Sequence, residues 1–365
     1  MDTTDQLTPE EQKTSLEVSR RTALTTVAKL GLGSAGMVAA LKAGHLEDAI
    51  AAGRSDALPK KGYHFVFVNH VTTNAFFTPT QSGARDACKL LGCTYSWTGS
   101  ETSNVAEMVK AMQTAIAGRA DGIAVAIIDP VAFGAPIAQA FARGIPVISY
   151  NADGTPKNSP QTKMRLAYIG QSLYTSGFLM GQRIVKLVGS GKVALFIATF
   201  GTANIQPRLD GAEAAIKQFG GGKITYDAIA TTALEAQERR VVESYWIGHK
   251  DVKGMFAVDQ GSTTGAILTS RKYGLRKKGL SIGGYDLTPE IVKGINDGVA
   301  DFTIDQQPYL QGFYPVVQLF LYKLSGGLVG AEDMNTGIKF VTKENIAPYL
   351  KPNVYQGSST TNYQL

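Results

Sequence analysis

Hydrophobic positions follow two patterns from residue 63 onward: short apolar runs and longer amphipathic stretches. The first run, residues 65–68, is entirely apolar, which is typical of a strand buried on both faces of a parallel sheet. Later runs are similarly short and end at polar or turn residues. We predict strands at residues 63–68, 94–97, 122–128, 146–150, 166–169, 193–199, 224–231, 254–258, 280–285, 302–305 and 338–341.

The amphipathic stretches between these runs predict helices. Asn104 and Glu107 have the spacing of a capping box at the start of one of them. The first three predicted helices end near residues 91, 117 and 143. The other six span residues 173–188, 208–219, 236–248, 264–274, 289–297 and 309–324. Repeated strand–helix units predict an α/β protein with parallel sheets and helices on both faces. Because so many strands rarely form one sheet at this length, we expect two lobes, with a seam near Gly170.

The loop after the first predicted strand carries unusual chemistry. Asn69 and His70 end the strand, and Asn74, Phe76 and Phe77 follow directly before a helix. Ligands of open α/β sheets bind at this edge. Two adjacent phenyl rings can cover the C–H faces of a sugar ring, and an amide can both donate to and accept from hydroxyls. This loop suits a sugar or polyol and not a pyrophosphate, although the two rings could equally begin a core helix.

Polar residues also follow the other predicted strands. The set comprises Asp129, Asn151, Asp259, Asp286 and, after a late strand, Asp305, Gln306 and Gln307. Arg208, near the start of a helix, could bridge a sugar hydroxyl and a carboxylate. For any single residue, a helix cap or loop hydrogen bond is the commoner explanation. Their joint occurrence at strand ends predicts one polar crevice between two lobes.

Composition argues against several other functions. The chain has 44% hydrophobic and 18% charged residues and a net charge of +6. It contains no basic cluster with interleaved aromatic residues, so the positive charge does not indicate nucleic-acid binding. Of the four histidines, only His70 lies at a strand end, and no metal-ligand spacing or nucleophile–base set is present. No glycine-rich dinucleotide motif follows the first strand. We therefore predict no cofactor, no metal site and no enzymatic activity. Cys88 and Cys93 could be two thiols or one local disulfide.

Residues 1–61 do not resemble part of a folded domain. Arg20 and Arg21 precede a weakly apolar, Gly/Ala-rich run at about residues 23–43, and small residues follow near 49–52. This order resembles a twin-arginine export signal, and no cysteine suited to a lipid anchor follows it. The alternative is a disordered tail with a chance pair of arginines. We expect a soluble exported protein, located in the periplasm.

From about residue 63 to residue 341 the chain resembles periplasmic sugar-binding proteins of the ribose/galactose-binding type. The resemblance is carried by Asn74, Phe76 and Phe77 and by the stretches at 145–151, 208–211, 255–259, 282–286 and 302–306. It implies a type I periplasmic binding fold: two Rossmann-like lobes, each a parallel sheet flanked by helices, joined by a three-segment hinge. It also implies sugar contacts from Asn74, Phe76, Phe77, Asn151, Arg208, Asp259, Asp286 and Gln306.

Several positions depart from the ribose-binding pattern. Asn151 stands where ribose binders have Asp, Ala152 replaces an arginine, and Asp259 replaces an Asn. Asp153 could supply the missing carboxylate or could cap a loop, and no aromatic stands near Ala233. These differences favour another pentose, a hexose, an alditol or an inositol-like ring over ribose. His70 and Asp129 are further candidate contacts.

The resemblance implies discontinuous lobes, at residues 62–169 plus 308–337 and 170–307 plus 338–365, that close by hinge bending. We therefore predict the substrate-binding component of an ABC transporter, a monomer that delivers a monosaccharide or polyol to a membrane permease. The alternatives are an exported α/β enzyme and a sugar-sensing regulator or chemoreceptor partner on the same fold.

Overall fold

The computed structural model describes residues 58–153, 165–351 and 355, and most of the predicted export segment lies outside this range. Contacts within the chain group residues Lys61–Leu365 into one compact unit. Two six-stranded sheets form its framework. Among the described residues, no helix has the length and apolar character needed to cross a bilayer.

The first sheet is built mainly from the early part of the chain. Its strands are β1 (His64–Asn69), β2 (Thr94–Gly99), β3 (Gly122–Val125), β4 (Val147–Tyr150), β5 (Tyr168–Gly170) and β11 (Met334–Asn335). They lie in the order β11-β5-β4-β3-β1-β2, and all pairs are parallel. β1 and β3 are buried along almost their whole length, as the continuous apolar runs predict. The short strand β11 has no apolar run and was not predicted.

The second sheet uses the later part of the chain. Its strands are β6 (Gly191–Ile197), β7 (Ile224–Ala230), β8 (Gly254–Ala257), β9 (Ser281–Tyr285), β10 (Phe302–Asp305) and β12 (Lys339–Val341). The order is β12-β10-β9-β8-β6-β7. All neighbours are parallel except β12, which runs antiparallel to β10. The sheets therefore confirm the α/β class with mostly parallel strands.

Helices cover both sheets. They are α1 (Thr78–Leu91), α2 (Val105–Ala117), α3 (Pro130–Ala142), α4 (Leu173–Val188), α5 (Gln206–Phe219), α6 (Glu235–Gly248), α7 (Gln260–Tyr273), α8 (Pro289–Asn296) and α9 (Leu310–Leu324). Side chains of α1, α2, α3 and α9 share one hydrophobic core with the first sheet. The second sheet has two cores, one with α6, α7 and α8 and one with α4 and α5, as expected for helices on both faces.

The chain crosses between the two sheets three times. It leaves the first sheet after β5, returns through α9 after β10, and leaves again between β11 and β12. A chain of side-chain amides joins these crossings. Gln311 donates through Nε2 to the carbonyl of Gln306 at 3.1 Å and to Thr336 Oγ1 at 3.2 Å, and Asn151 Nδ2 donates to Gln311 Oε1 at 3.0 Å.

Two local predictions are resolved by side-chain contacts. Asn104 caps α2 by accepting from the Glu107 amide at 3.2 Å, but Glu107 accepts a hydrogen bond from Ser100 Oγ at 2.6 Å, so the cap differs from a standard capping box. Cys88 and Cys93 are both buried and free. Of the two cysteine states left open by the sequence, the structure has the thiols.

Candidate functional site

A cavity of about 780 Å³ lies between the strand ends of the two sheets. Loops after β1, β2, β3 and β4 line it from the first sheet, and loops after β6 to β10 line it from the second. The volume is in the range of small-molecule sites. The topological rule for ligand sites in α/β sheets therefore locates the cavity correctly.

The structure brings nearly all of the sequence-predicted residues to this cavity. They are His70, Asn74, Phe76, Phe77, Asp129, Asn151, Arg208, Asp259, Asp286 and Gln306. Asp305 and Gln307 of the strand-end set do not line the cavity, because Asp305 accepts from the Gln307 amide at 2.8 Å and from Tyr349 at 3.2 Å. Asp153 is the other exception. Its carboxylate lies 2.5 Å from Arg165 Nε and accepts from Ser149 Oγ at 2.5 Å, and Arg165 also pairs with Asp333. Because Arg165 holds this carboxylate outside the cavity lining, Asp153 does not replace the carboxylate expected beside Asn151.

The aromatic wall is formed by a single turn of 3₁₀ helix, Ala75–Phe77. Asn74 begins this turn by accepting from the Phe76 amide through Oδ1 at 2.9 Å. The Phe76 and Phe77 rings meet edge to face at 4.7 Å between centroids, and Phe77 also contacts Trp97 at 5.8 Å. The rings line the cavity and also belong to the hydrophobic core of the first sheet. Their contact with a sugar therefore stays a prediction.

His70 lies behind this wall with its imidazole buried. The ring meets Phe77 edge to face at 5.4 Å, and Nδ1 has no hydrogen-bond partner among the described residues. Nε2 lies 3.5 Å from Asn204 Nδ2, on the loop after β6 of the second sheet. Burial lowers the pKa of His70 to about 4. The ring is therefore neutral near pH 7.

Two residues at strand ends have left-handed backbones. Asn151, after β4, has φ 60°, and Asp286, after β9, has φ 76°. This region is uncommon for residues other than glycine, and Asn and Asp tolerate it best. Backbone amides hold both turns: Asn151 N donates to Ile169 O at 3.1 Å, and Asp286 N donates to Ile304 O at 3.0 Å. Strained conformations of this kind concentrate at functional sites, which fits their position in the cavity lining.

Asp286 is the central carboxylate of the second-sheet wall. Gln306 Nε2 donates to its Oδ1 at 2.7 Å. Burial raises the pKa of Asp286 to about 6, and the positive charge of Arg208 and the bond from Gln306 oppose this rise. The carboxylate is thus mostly ionised at neutral pH.

Arg208 is almost completely buried at the start of α5. Its Nη1 donates to Val258 O at 3.0 Å, and its guanidinium lies 4.2 Å from the centre of the Tyr285 ring. A side chain at Gly177 of α4 would come within 1.9 Å of the Arg208 carbonyl, so close helix packing fixes the arginine's backbone. Its Nε is buried and has no hydrogen-bond partner within the part of the chain that the structure describes. A buried cationic donor without an acceptor suits a site that a ligand completes.

Asp259 and Asp129 both cap helices while lining the cavity. Asp259 accepts from Ser262 N at 2.8 Å and from Ala198 N at 2.9 Å, and Asp129 accepts from Val131 N and Ala132 N at 2.9 and 3.2 Å. The cap interpretation of these residues is therefore correct. Asp129 and Asp259 can cap helices and line the cavity at the same time because the N-termini of α3 and α7 face the cavity.

The cavity also contains residues that the strand-end rule missed. Phe200 and Asn204 belong to the loop after β6, and Glu238 belongs to the body of α6. Phe200 is 48% exposed at the mouth, on the same side as Ala233, where no aromatic occurs. Its position in a loop of small and polar residues is a recognisable signal for an exposed aromatic. Glu238 has no such signal, because an acidic residue in an amphipathic helix usually faces solvent.

Comparison with known proteins identifies the family. The family described as "Periplasmic binding protein domain" matches residues 65–326. The chain belongs to this family. A xylose/arabinose-binding protein of Sulfolobus acidocaldarius is 48% identical, over 96% of this chain and 92% of its own length.

Solved structures agree with the fold. An ABC transporter solute-binding protein of Burkholderia graminis, crystallised with D-arabinose, superimposes with a TM-score of 0.73 at 26% identity over 80% of this chain and 100% of its own. A glucose-galactose binding protein of Geobacillus stearothermophilus has a TM-score of 0.69 at 26% identity, covering 78% and 99%. The predicted family and the type I periplasmic binding fold are thus confirmed.

Proposed function

We propose that this protein is the substrate-binding component of an ABC importer and that it captures a monosaccharide or polyol, in the first place a pentose, between its two sheets. The observation that carries this proposal is the cavity itself. It sets the Phe76 and Phe77 rings opposite a buried polar wall of Asp286, Arg208 and Gln306. The xylose/arabinose-binding relative at 48% identity supports a pentose.

The chemistry of capture follows from the two walls. The phenyl rings offer apolar surface to the C–H face of a sugar. Ionised Asp286 accepts from hydroxyls, while the unpartnered Arg208 Nε can donate to a hydroxyl oxygen. Each buried polar group that a ligand leaves unpaired costs affinity, so such a site selects sugars by the positions of their hydroxyls.

The two lobes are proposed to comprise residues 62–169 plus 308–337 and residues 170–307 plus 338–365. Three crossings between the sheets and the amides of Asn151, Gln306 and Gln311 form the hinge. Bending at these crossings would bring the two walls onto the sugar. The closed form would then be what the membrane permease recognises, and the sugar would leave chemically unchanged.

Export is the remaining part of the proposal. Members of this family act outside the cytoplasmic membrane, and Arg20 and Arg21 support passage by the twin-arginine route to the periplasm or cell exterior. We further propose that the protein acts as a monomer with no cofactor.

The test is a thermal-shift screen of the purified protein against D-xylose, L-arabinose, D-arabinose, D-ribose, D-galactose, sorbitol and myo-inositol. A sugar at a thousand times its Kd stabilises the folded state by about 4 kcal/mol, which raises Tm by several degrees. A shift for one stereochemical class, with no change in the recovered sugar, is expected. No shift with any of these compounds, or consumption of a sugar, would overturn the proposal.

A further inference from the structure

Glu238 is a buried acid at the wall of the cavity, in the first turn of α6. Its residue surface is only 5% exposed, and it lines the same space as Asp259 and Asp286. A side chain at Gly261 would place its Cβ 1.3 Å from Glu238 Oε2. The first turn of α7 therefore admits this carboxyl group only because residue 261 is glycine.

Glu238 and Asp259 form one carboxyl pair with separate roles. Asp259 already accepts from the Ser262 and Ala198 amides, which favour its ionised form, and it also accepts from Glu238. Burial raises the pKa of Glu238 to about 9, and the negative charge of Asp259 and their shared hydrogen bond add to this rise. At neutral pH the proton therefore resides on Glu238.

The charged groups around Glu238 do not, on balance, favour its ionised form. On α6 itself, Glu235 raises and Arg239 lowers the pKa of Glu238, and these two residues pair with each other. On the facing elements, Asp259 begins α7, and Glu290 of α8 is paired with Arg271. Arg239 and Arg271 are thus already paired with Glu235 and Glu290, and these ion pairs do not supply a cation to neutralise an ionised Glu238.

Two other residues that line the cavity have buried polar atoms. Arg208 Nε and His70 Nδ1 have no hydrogen-bond partner among the residues that the structure describes, and these residues are 3% and 6% exposed. Native proteins rarely leave such atoms unpaired. A ligand rich in hydrogen-bonding groups would pair these two atoms in the same space that Glu238 lines.

We propose that Glu238 is a specificity-determining residue of this site, which contacts one sugar hydroxyl through the carboxyl oxygen not committed to Asp259. This inference rests on the proposed function. Both oxygens of Asp259 accept from backbone amides and the carboxylate also accepts from Glu238, so the second Glu238 oxygen is the less committed acceptor of the pair. A sugar lacking that hydroxyl leaves this acceptor unpaired in a buried place and binds more weakly.

The contact can be tested with D-xylose and its 2-, 3- and 4-deoxy analogues by isothermal titration calorimetry at pH 7. We expect one analogue to bind wild type at least tenfold more weakly than D-xylose. Glu238→Ala should bind D-xylose about 10- to 100-fold more weakly and should no longer distinguish that analogue from D-xylose. An equal loss for D-xylose and all analogues would show a structural role only and would overturn the proposal.

A second variant keeps the test open if Glu238→Ala folds poorly. In Glu238→Gln the amide donates to Asp259 and still presents a carbonyl oxygen, so affinity for D-xylose at pH 7 should stay within about threefold of wild type. At pH 10 the wild type should lose affinity about tenfold as two adjacent carboxylates become ionised, whereas Glu238→Gln should not. Glu243→Gln, on the same helix but outside the cavity lining, is the matched control and should behave as wild type.

The outcomes separate the two proposals. If wild type binds neither D-xylose nor any other sugar of the thermal-shift panel, the proposed function fails. If D-xylose binds wild type and both Glu238 variants alike at pH 7 and pH 10, the proposed function stands and the role of Glu238 is refuted. If another pentose gives the larger shift, the same variants are titrated with that pentose and its deoxy analogues.

Discussion

His70 and Asn204 meet at the edge of the cavity, with Nε2 of the imidazole 3.5 Å from Nδ2 of the amide. His70 follows β1 of the first sheet, and Asn204 precedes α5 of the second. They thus join the two walls directly, away from the crossings. Their separation is at the outer limit of a hydrogen bond, so the contact can be made and lost at little cost.

Removing this contact should favour the open form. We expect Asn204→Ala to weaken sugar affinity about 2- to 10-fold, the loss of one modest hydrogen bond, without changing the preference among sugars. Small-angle scattering without sugar should show a larger radius of gyration than wild type. An unchanged radius together with altered sugar preference would mean that Asn204 contacts the ligand instead.

His70 and Asp286 should give opposite pH dependences of stability. The pKa of His70 falls on folding from 6.5 to about 4, so its neutral form contributes stability that is lost as pH falls through this window. The pKa of Asp286 rises from 3.8 to about 6, so folding stability falls as pH rises through nearly the same window. In wild type the two effects largely cancel.

Single variants should expose each effect. Without sugar, His70→Gln should gain Tm relative to wild type on going from pH 7 to pH 4.5, and Asp286→Asn should lose it. Asp286→Asn should also be more stable than wild type at pH 7, by up to about 3 kcal/mol, because asparagine tolerates φ 76° and carries no buried charge. Differential scanning calorimetry decides, and parallel pH profiles for all three proteins would contradict the assignment.

Arg208 should be irreplaceable for binding. Arg208→Lys keeps the charge but loses the planar group that bonds Val258 and lies over Tyr285, so we expect affinity to fall at least 100-fold. The melt should remain cooperative. Arg183→Lys is the matched control, since Arg183 also lies over an aromatic ring, 5.2 Å from Phe302, and has a buried, unpartnered Nε outside the cavity lining. Equal losses in both variants would refute a ligand contact by Arg208.

The Phe77 ring should contribute to affinity beyond its packing. We expect Phe77→Leu to weaken sugar binding about 2- to 10-fold, the value of an aromatic contact, with a further loss of stability. Phe133→Leu, at a fully buried phenyl of the same core outside the cavity lining, should lose stability only. Titrations of the two variants at a temperature well below both melts separate the effects.

The sequence predicts this fold and site well where chemistry and position coincide. Asn151 and Asp286 were identified because each ends an apolar run, and parallel topology carries such ends to one edge. Asp153 was suggested instead by its place two residues after Asn151, but Arg165, brought close only by the folded chain, holds its carboxylate elsewhere. Position along the chain cannot anticipate such a long-range pair.

Glu238 shows the opposite failure. Nothing in its neighbours distinguishes it from the exposed acids of α6, and its burial depends on Gly261 of the next helix. Strand β11 was missed for a related reason, because a strand of two residues has too few side chains to show a period. Features that arise between distant elements are therefore the part that sequence patterns miss.

The last two crossings determine when the chain can fold. Val316, Leu319 and Phe320 of α9 belong to the first core, and Val341 and Ile346 belong to the second. A ribosome must therefore synthesise the chain through Phe320 before the core of the first sheet has these members, and through Ile346 before the core shared by α6, α7 and α8 has them. Until then, the nascent chain would expose unpaired strand edges, a state prone to aggregation. Folding after release from the ribosome would avoid this exposure. The Arg20–Arg21 pair suggests export by the twin-arginine translocase, which transports proteins that have already folded, and such a route is compatible with folding before export.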